Sequence, residues 1–288
     1  MRGVAALMLG VLVGCGGGER VVVGSKNFTE QRILGELLAQ TVESVGLRAE
    51  RRLDLGGTFV CDAALRAGQI DLYVEYTGTA LTAILKEPPG SDPAAVLARV
   101  RAAYEPAGLV WTAPLGFDNT FALVVRKEPG LGTISDLVPR AKHLSAGFGY
   151  EFMSRPDGYP GLARTYGLAF EETRTMDLGL LYRALVDRQV DVAAGNATDG
   201  LIEHLGLTVL EDDRHYFPPY EAAPVVRRAV LDRYPVLGPA LERLGGKLPA
   251  ETMRRLNYAV DGEHRDPAEV ARDFRPGTDH SSERALEE

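Results

Sequence analysis

The stretch Val21 to Val45, VVVGSKNFTEQRILGELLAQTVESV, leaves this chain few choices of fold. Three valines make a short apolar strand, Gly24-Ser25 breaks it, and Ile33, Leu34, Leu37, Leu38, Val42 and Val45 then recur at helical spacing. One face of that helix must pack on the sheet to which the strand belongs. Asn27 followed three residues later by Glu30 reads as a capping-box start. Lys26 sits between strand and helix. In an open α/β sheet, ligands bind beyond the carboxyl ends of the strands, where helix N-termini offer unpaired N–H groups to anions. A lysine there suits a carboxylate or phosphate, and by itself it also reads as a solvated loop residue.

Further along, elements alternate. Leu47 to Leu55 reads as a strand, Thr58 caps a short helix to Ala67, and Ile70 to Glu75 alternates as the next strand. Tyr76-Thr77-Gly78-Thr79 leads into a helix ending near Ile84, and Asp92-Pro93 opens another running to about Tyr104. Leu109 to Ala113 and Phe121 to Arg126 are strands, and the series then restarts. Ser135 caps a short helix, His143 to Gly149 is a strand, helices follow from Tyr159 and over Leu178 to Val186, and Val190 to Gly195 is a strand. Strands at Thr208 to Leu210 and Pro224 to Val226 and helices near Val230 to Leu244, Ala250 to Tyr258 and Pro267 to Phe274 complete the pattern. Strand and helix in succession imply an α/β fold with parallel or mixed sheets covered on both faces. One echo is internal: Gln69-Ile70-Asp71-Leu72 and Gln189-Val190-Asp191-Val192 share a pattern, and continuing both without gaps sets Tyr76 opposite Asn196. Two equivalent lobes meeting across a cleft would produce it.

The first residues bear on compartment. Arg2, the apolar run Val4 to Val13 and Leu12-Val13-Gly14-Cys15 have the form of a lipoprotein signal, with cleavage before Cys15, lipid on its sulfur and Gly16-Gly17-Gly18 as a tether. The other cysteine, Cys61, is then left without a partner and is expected to be a buried free thiol. A net charge of −8 argues against nucleic acid as a partner.

Catalytic signatures such as HExxH, GxSxG, Walker A, GxGxxG and CxxC are missing, and the five histidines have no ligand spacing. An enzyme is therefore the weaker class. What the chain offers instead is aromatics near loop and strand ends (Tyr76, Phe121, Tyr220) and two well-placed cations, Lys26 and Arg155. Aromatic faces attract a quaternary ammonium, each contact contributing about 0.5 to 2 kcal/mol. Taken singly, each residue also has a structural reading: Tyr76 and Phe121 as core aromatics, Tyr220 as loop packing, Arg155 in a surface ion pair.

The runs Gly24-Ser25-Lys26-Asn27-Phe28-Thr29-Glu30-Gln31, Leu55-Gly56-Gly57-Thr58, Asp71 to Thr79 (DLYVEYTGT), Ser154-Arg155-Pro156-Asp157-Gly158 and Pro218-Pro219-Tyr220 closely resemble the substrate-binding proteins of osmoprotectant ABC transporters, the glycine betaine/carnitine/choline family. The resemblance spans about Val21 to Phe274. It implies a two-lobed periplasmic-binding-protein fold, type II-like, with crossovers near Gly116 to Phe121 and Pro218 to Ala223 acting as a hinge. The corresponding division is 1–14 signal, 15–20 tether, 21–116 with 221–276 as lobe 1, 117–220 as lobe 2, and 277–288 as tail.

Carried over residue by residue, the carboxylate-binding positions match Lys26, Thr79 and Arg155, and the aromatic cage matches Tyr76 and Tyr220. Two cage positions depart: Phe121 stands where Tyr is usual, and Asn196 stands where Tyr is frequent. Phe121 keeps its ring face. Asn196 removes a wall, which weakens betaine binding or makes room for a bulkier trimethylammonium carboxylate. The resemblance implies a monomeric, lipid-anchored, extracytoplasmic protein that captures a small zwitterion for an ABC permease, with no cofactor or metal. Choline, lacking a carboxylate, is expected to leave two cations unmatched and bind less well. The alternatives are another, more polar or bulkier solute, or a sensory receptor domain of the same fold.

Overall fold

The computed structural model describes residues 20–128 and 130–274; the signal, the tether up to residue 19, Cys15 and the tail from 277 onward lie outside them. Two five-stranded mixed sheets organise the chain. In the first, β1 (Arg20–Gly24) lies parallel to β2 (Arg48–Arg52) and β3 (Leu72–Tyr76), and β10 (Ala222–Arg227) runs antiparallel to both β3 and β4 (Leu109–Trp111). In the second, β6 (Ser145–Phe148) is parallel to β7 (Glu172–Thr175) and β8 (Val192–Asn196), while β5 (Phe121–Arg126) runs antiparallel to β8 and β9 (Leu207–Val209). The order is the same in both: β2-β1-β3-β10-β4 and β7-β6-β8-β5-β9.

Apolar layers cover both faces of each sheet. The helix Thr29–Ser44 buries Ile33, Leu34, Leu38 and Val42 against β1 and β3, each fully buried aliphatic side chain contributing about 1.5 to 3 kcal/mol. Cys61, Tyr73, Tyr104 and Trp111 fill the opposite face. Leu123, Phe148 and Val192 lie in one layer of the second sheet, and Val124, Leu185 and Ala193 in the other. Cys61 is a buried free thiol, and burial pushes its pKa to about 12. No helix among the described residues is long and apolar enough to cross a membrane.

The internal echo marks equivalent places. Asp71 starts β3, where its carboxylate accepts the Val22 N–H at 2.8 Å and Arg227 Nη1 at 3.2 Å. Asp191 starts β8, accepting the Ser145 N–H at 3.0 Å and Arg126 Nη2 at 2.8 Å. The edge strands repeat it as well: Arg52 donates to the Gln69 carbonyl and Arg174 to the Gln189 carbonyl. Each aspartate therefore ties the central strand to its parallel neighbour and to its antiparallel one.

Several local expectations are corrected. The opening helix has Phe28 at its N-cap with no side-chain cap, so Asn27 and Glu30 form no capping box. The helix Ile134–Leu137 is capped by Thr133 with Asp136 completing the box, and Ser135 lies inside it. Strand β7, with every side chain exposed, carries no apolar alternation and was not expected. The segment expected as one helix from Val230 breaks at Tyr234-Pro235 into Arg228–Arg233 and Leu237–Glu242, because proline cannot donate to the preceding turn.

The chain passes between the sheets twice, and the two passages pair. Leu115 N–H donates to Ala222 O at 2.8 Å, Ala222 N–H to Phe117 O at 3.2 Å and Asn119 N–H to Tyr220 O at 3.1 Å. Gly116, at φ +118°, needs glycine: a Cβ there would lie 3.0 Å from the Gly246 backbone.

Replacing either strand-initiating aspartate strands the partly buried amide it accepts. D71A and D191A are each expected to lower unfolding free energy by about 1 to 3 kcal/mol, and the losses should add because the two share no partner. Urea denaturation with unchanged slope checks this, and shifts below about 0.5 kcal/mol in both would contradict it.

Candidate functional site

All seven side chains singled out in the sequence line one cleft of about 950 Å³ between the two lobes. Lys26 leaves the end of β1, its loop fixed by the Asn27 N–H to Gly56 O bond and the Leu55 N–H to Ser25 O bond. The residue is only 2 % exposed. Its ammonium donates to Glu75 Oε1 at 2.5 Å and Thr58 Oγ1 at 2.9 Å and lies 5.0 Å from the centre of the Tyr76 ring. Glu75, on β3, also accepts from the Tyr73 hydroxyl and the Tyr76 N–H. Burial raises the Glu75 pKa, with Lys26 opposing.

Arg155 follows the short helix Tyr150–Ser154 in the second lobe and is 3 % exposed. Its Nε donates to Asp157 Oδ1 at 2.9 Å, and Nη2 donates to Asp157 Oδ2 and, at 3.0 Å, to Thr79 Oγ1 of the first lobe. Burial works to raise the Asp157 carboxyl, but the hydrogen bonds and charge of Arg155 prevail and hold it below the usual range. The guanidinium stands 5.0 Å from the centre of the Phe121 ring.

The aromatic walls come from strand ends. Tyr76 closes β3 and stacks on Phe28, centroids 6.4 Å apart. Phe121 opens β5 and meets Tyr220 edge-on at 5.6 Å; the Tyr220 hydroxyl donates to Asp157 Oδ2 at 2.7 Å. Asn196 closes β8, paired in register with Phe121, and its N–H donates to Asp199 Oδ2 at 2.9 Å. Tyr182 also lines this corner and donates its hydroxyl to Asp199. It gets there only because residue 195 is glycine: a Cβ would lie 1.7 Å from the tyrosine oxygen. Burial raises the Asp199 pKa to about 6.

Lys26 and Arg155 each already hold an internal carboxylate, which corrects the expectation that a ligand without an acid group would leave them unmatched. A buried cation is tolerated only with such a partner. Donors remain that make no hydrogen bond among the described residues: an ammonium carries three hydrogens and a guanidinium five, which leaves one on Lys26 and the two on Arg155 Nη1, the latter 3.6 Å from Glu151 Oε2.

Three participants escaped the sequence reading. Glu151 reaches across the cleft to accept the Thr58 N–H at 2.6 Å and the Thr58 hydroxyl at 3.1 Å, capping the helix Thr58–Arg66 of the opposite lobe. That approach requires Gly57, where a Cβ would sit 2.1 Å from Glu151 Oε1. Glu30, buried instead of capping, accepts from Tyr76, Asn119 and Asn257 and contacts Thr198 of the second lobe. Tyr182 is the third. Glycine 57 and the second-lobe run Tyr150-Glu151 carried no periodic or motif signal that joins them.

This geometry has relatives. Residues 19–275 match the family described as the substrate binding domain of ABC-type glycine betaine transport system. A glycine-betaine-binding protein of Pseudomonas aeruginosa is 39% identical over 272 residues, 89% of this chain and 87% of that protein. A carnitine transport binding protein of Listeria monocytogenes is 35% identical over 273 residues, 91% of this chain and 89% of that protein. Among solved structures, a glycine betaine/carnitine/choline ABC transporter protein superposes with a TM-score of 0.74 at 35% identity, covering 88% of this chain and 97% of that one.

Removing one partner of the Lys26–Glu75 pair leaves a bare buried charge, so E75A is expected to cost about 3 to 5 kcal/mol of stability, with K26M/E75L recovering most of it. Thermal and urea unfolding of the three proteins checks this. Equal stability of E75A and wild type would show that the pair is not closed in solution.

Proposed function

The chain belongs to the family of substrate-binding domains of ABC-type glycine betaine transport systems, and from that membership and the cleft we propose that its cargo is a small trimethylammonium zwitterion of the glycine betaine kind. The observation that carries the reading is the convergence, from both lobes, of three aromatic rings and two cations on one cavity. Tyr76, Phe121 and Tyr220 hold the methylated nitrogen by their faces. The free hydrogens of Lys26 and Arg155, and the hydroxyl of Thr79, whose oxygen already accepts from Arg155, take the carboxylate. Because Lys26, Tyr76 and Thr79 stand on one lobe and Arg155 and Phe121 on the other, cargo bridges them and favours closure.

The lobes are placed at 21–116 with 221–276 and at 117–220, hinged where the two passages pair. The loaded protein acts outside the cytoplasmic membrane and hands its cargo, as a monomer, to an ABC permease. Lipid on Cys15 keeps it at the membrane surface.

Choline strands no bare cation here, because Glu75 and Asp157 remain. It forgoes the hydrogen bonds to the carboxylate, so the preference for betaine over choline rests on donors left idle. A bulkier trimethylammonium acid is a second reading, favoured by the polar Asn196 at the cage corner and by a cleft of about 950 Å³.

Isothermal titration with glycine betaine, carnitine, choline and proline tests both. Glycine betaine or carnitine should bind at least about tenfold tighter than choline. Alanine at Tyr76, Phe121 or Tyr220 should each lose about 0.5 to 2 kcal/mol. Choline binding tighter than both betaines overturns the assignment, and N196Y improving glycine betaine while excluding carnitine supports the bulkier cargo.

A further inference from the structure

Glu30 is the polar centre of the contact between the lobes, and the hydrogens around it do not add up for an ionised carboxylate. Its Oε1 accepts from the Tyr76 hydroxyl at 2.6 Å and from Asn119 Nδ2 at 2.8 Å. Its Oε2 lies 2.5 Å from Thr198 Oγ1 and 3.2 Å from Asn257 Nδ2. Thr198 Oγ1 also lies 2.7 Å from Asn119 Oδ1. A threonine hydroxyl carries one hydrogen. Given to Asn119, it leaves two bare oxygens facing each other at Glu30 Oε2. Given to Glu30, it leaves the Thr198 oxygen against Asn119 Oδ1. Turning the Asn119 amide over mends that contact only by setting its oxygen against Glu30 Oε1. In every arrangement one contact lacks a hydrogen, and a carboxylic acid at Glu30 supplies it.

We propose that Glu30 works as a neutral, protonated acid, a positioning residue that fixes the cage ring of Tyr76 while joining Thr198 of the second lobe, so that closure of the cleft on cargo takes up a proton. The surroundings agree. On the loop after β8, Asp199 faces it and adds to the rise; the helix Ala250–Asp261 presents the neutral Asn257 to it, and the Asp261 carboxylate at the end of that helix accepts from Thr29. From β3 comes only the phenol of Tyr76. The cations at this end of the cleft, Lys26 and Arg32, are engaged by Glu75 and Asp54. Burial accordingly lifts the Glu30 pKa from 4.5 to about 7, the hydrogen bonds from Thr198, Tyr76 and Asn257 opposing.

The sign follows from a closed-state pKa above the ordinary one. The contribution to closure is present while Glu30 is protonated and is lost as pH rises through about 7. Between the open-state pKa and about 7, affinity falls by up to about tenfold per pH unit, and binding takes up as much as one proton.

The proposal rests on the reading of the cleft as a cargo trap, and the test separates the two. Glycine betaine is titrated from pH 5 to 8.5 in buffers of different ionisation enthalpy, using wild type, E30Q and E30L. Proton uptake near pH 6 in wild type, lost in E30Q while binding is retained and in E30L while binding is impaired, is the expected result. No uptake in wild type, or the same uptake in E30Q, overturns it, the latter assigning the proton to Asp199 or Asp261. Should neither glycine betaine nor carnitine bind at any pH, the cargo reading fails, and Glu30 is judged on ligand-free protein held shut by a disulfide engineered between the lobes and carrying carbon-13 at the glutamate carboxyls. One glutamate titrating near 7 and missing in E30Q upholds the proposal; all titrating below about 5.5 overturns it.

Discussion

A cation taken out of water must bring its counter-charge with it, and that constraint shapes this cleft. Lys26 and Arg155, the cations proposed to meet a solute's carboxylate, are both buried, so each is held by a carboxylate of its own lobe, Glu75 and Asp157. Those acids are satisfied in turn by the aromatics: Tyr73 and the Tyr76 N–H serve Glu75, and the Tyr220 hydroxyl serves Asp157. The Tyr220 hydroxyl is thereby tied to the Arg155 pair, and Tyr76 to the Lys26 pair through its backbone N–H. Even the ring faces are engaged, Tyr76 by Lys26 and Phe121 by Arg155.

One consequence is that the cleft is neutral at both cation sites before anything enters. On the cargo reading proposed above, attraction of a zwitterion depends on the hydrogens of Lys26 and Arg155 that make no hydrogen bond and on the ring faces these cations leave uncovered, and less on net charge. Donors held in place discriminate by geometry, because a cargo that cannot meet them leaves them buried and without a hydrogen bond.

Much of this was legible because it is local. The strand, turn and helix from Val21 to Val45 follow from side-chain period alone, and the Gln-x-Asp echo was visible because both aspartates do the same job at the start of equivalent strands. What escaped is what long-range contact decides. Glu30 has the spacing of a capping residue, but Phe28 occupies the cap and the carboxyl turns toward Thr198, 168 residues away. Glu151 sits on a five-residue helix without pattern, and only the fold carries it to Thr58. Strand β7 is exposed throughout, so no alternation betrays it.

The matching strand orders sharpen the meaning of Asn196. Tyr76 and Asn196 end equivalent central strands, each paired with the antiparallel neighbour that leads away from the hinge, Tyr76 with Ala222 and Asn196 with Phe121. A cleft built from two equivalent halves would offer a ring from each of these positions. Here the second half presents an amide, with Tyr182 drawn in behind it to bind Asp199 through the gap left by Gly195. An aromatic side chain therefore still lines this corner, with its hydroxyl turned to Asp199. The second reading of the cargo rests on that asymmetry: a solute with its methylated nitrogen on a longer or more polar frame would meet the amide of Asn196 with that frame.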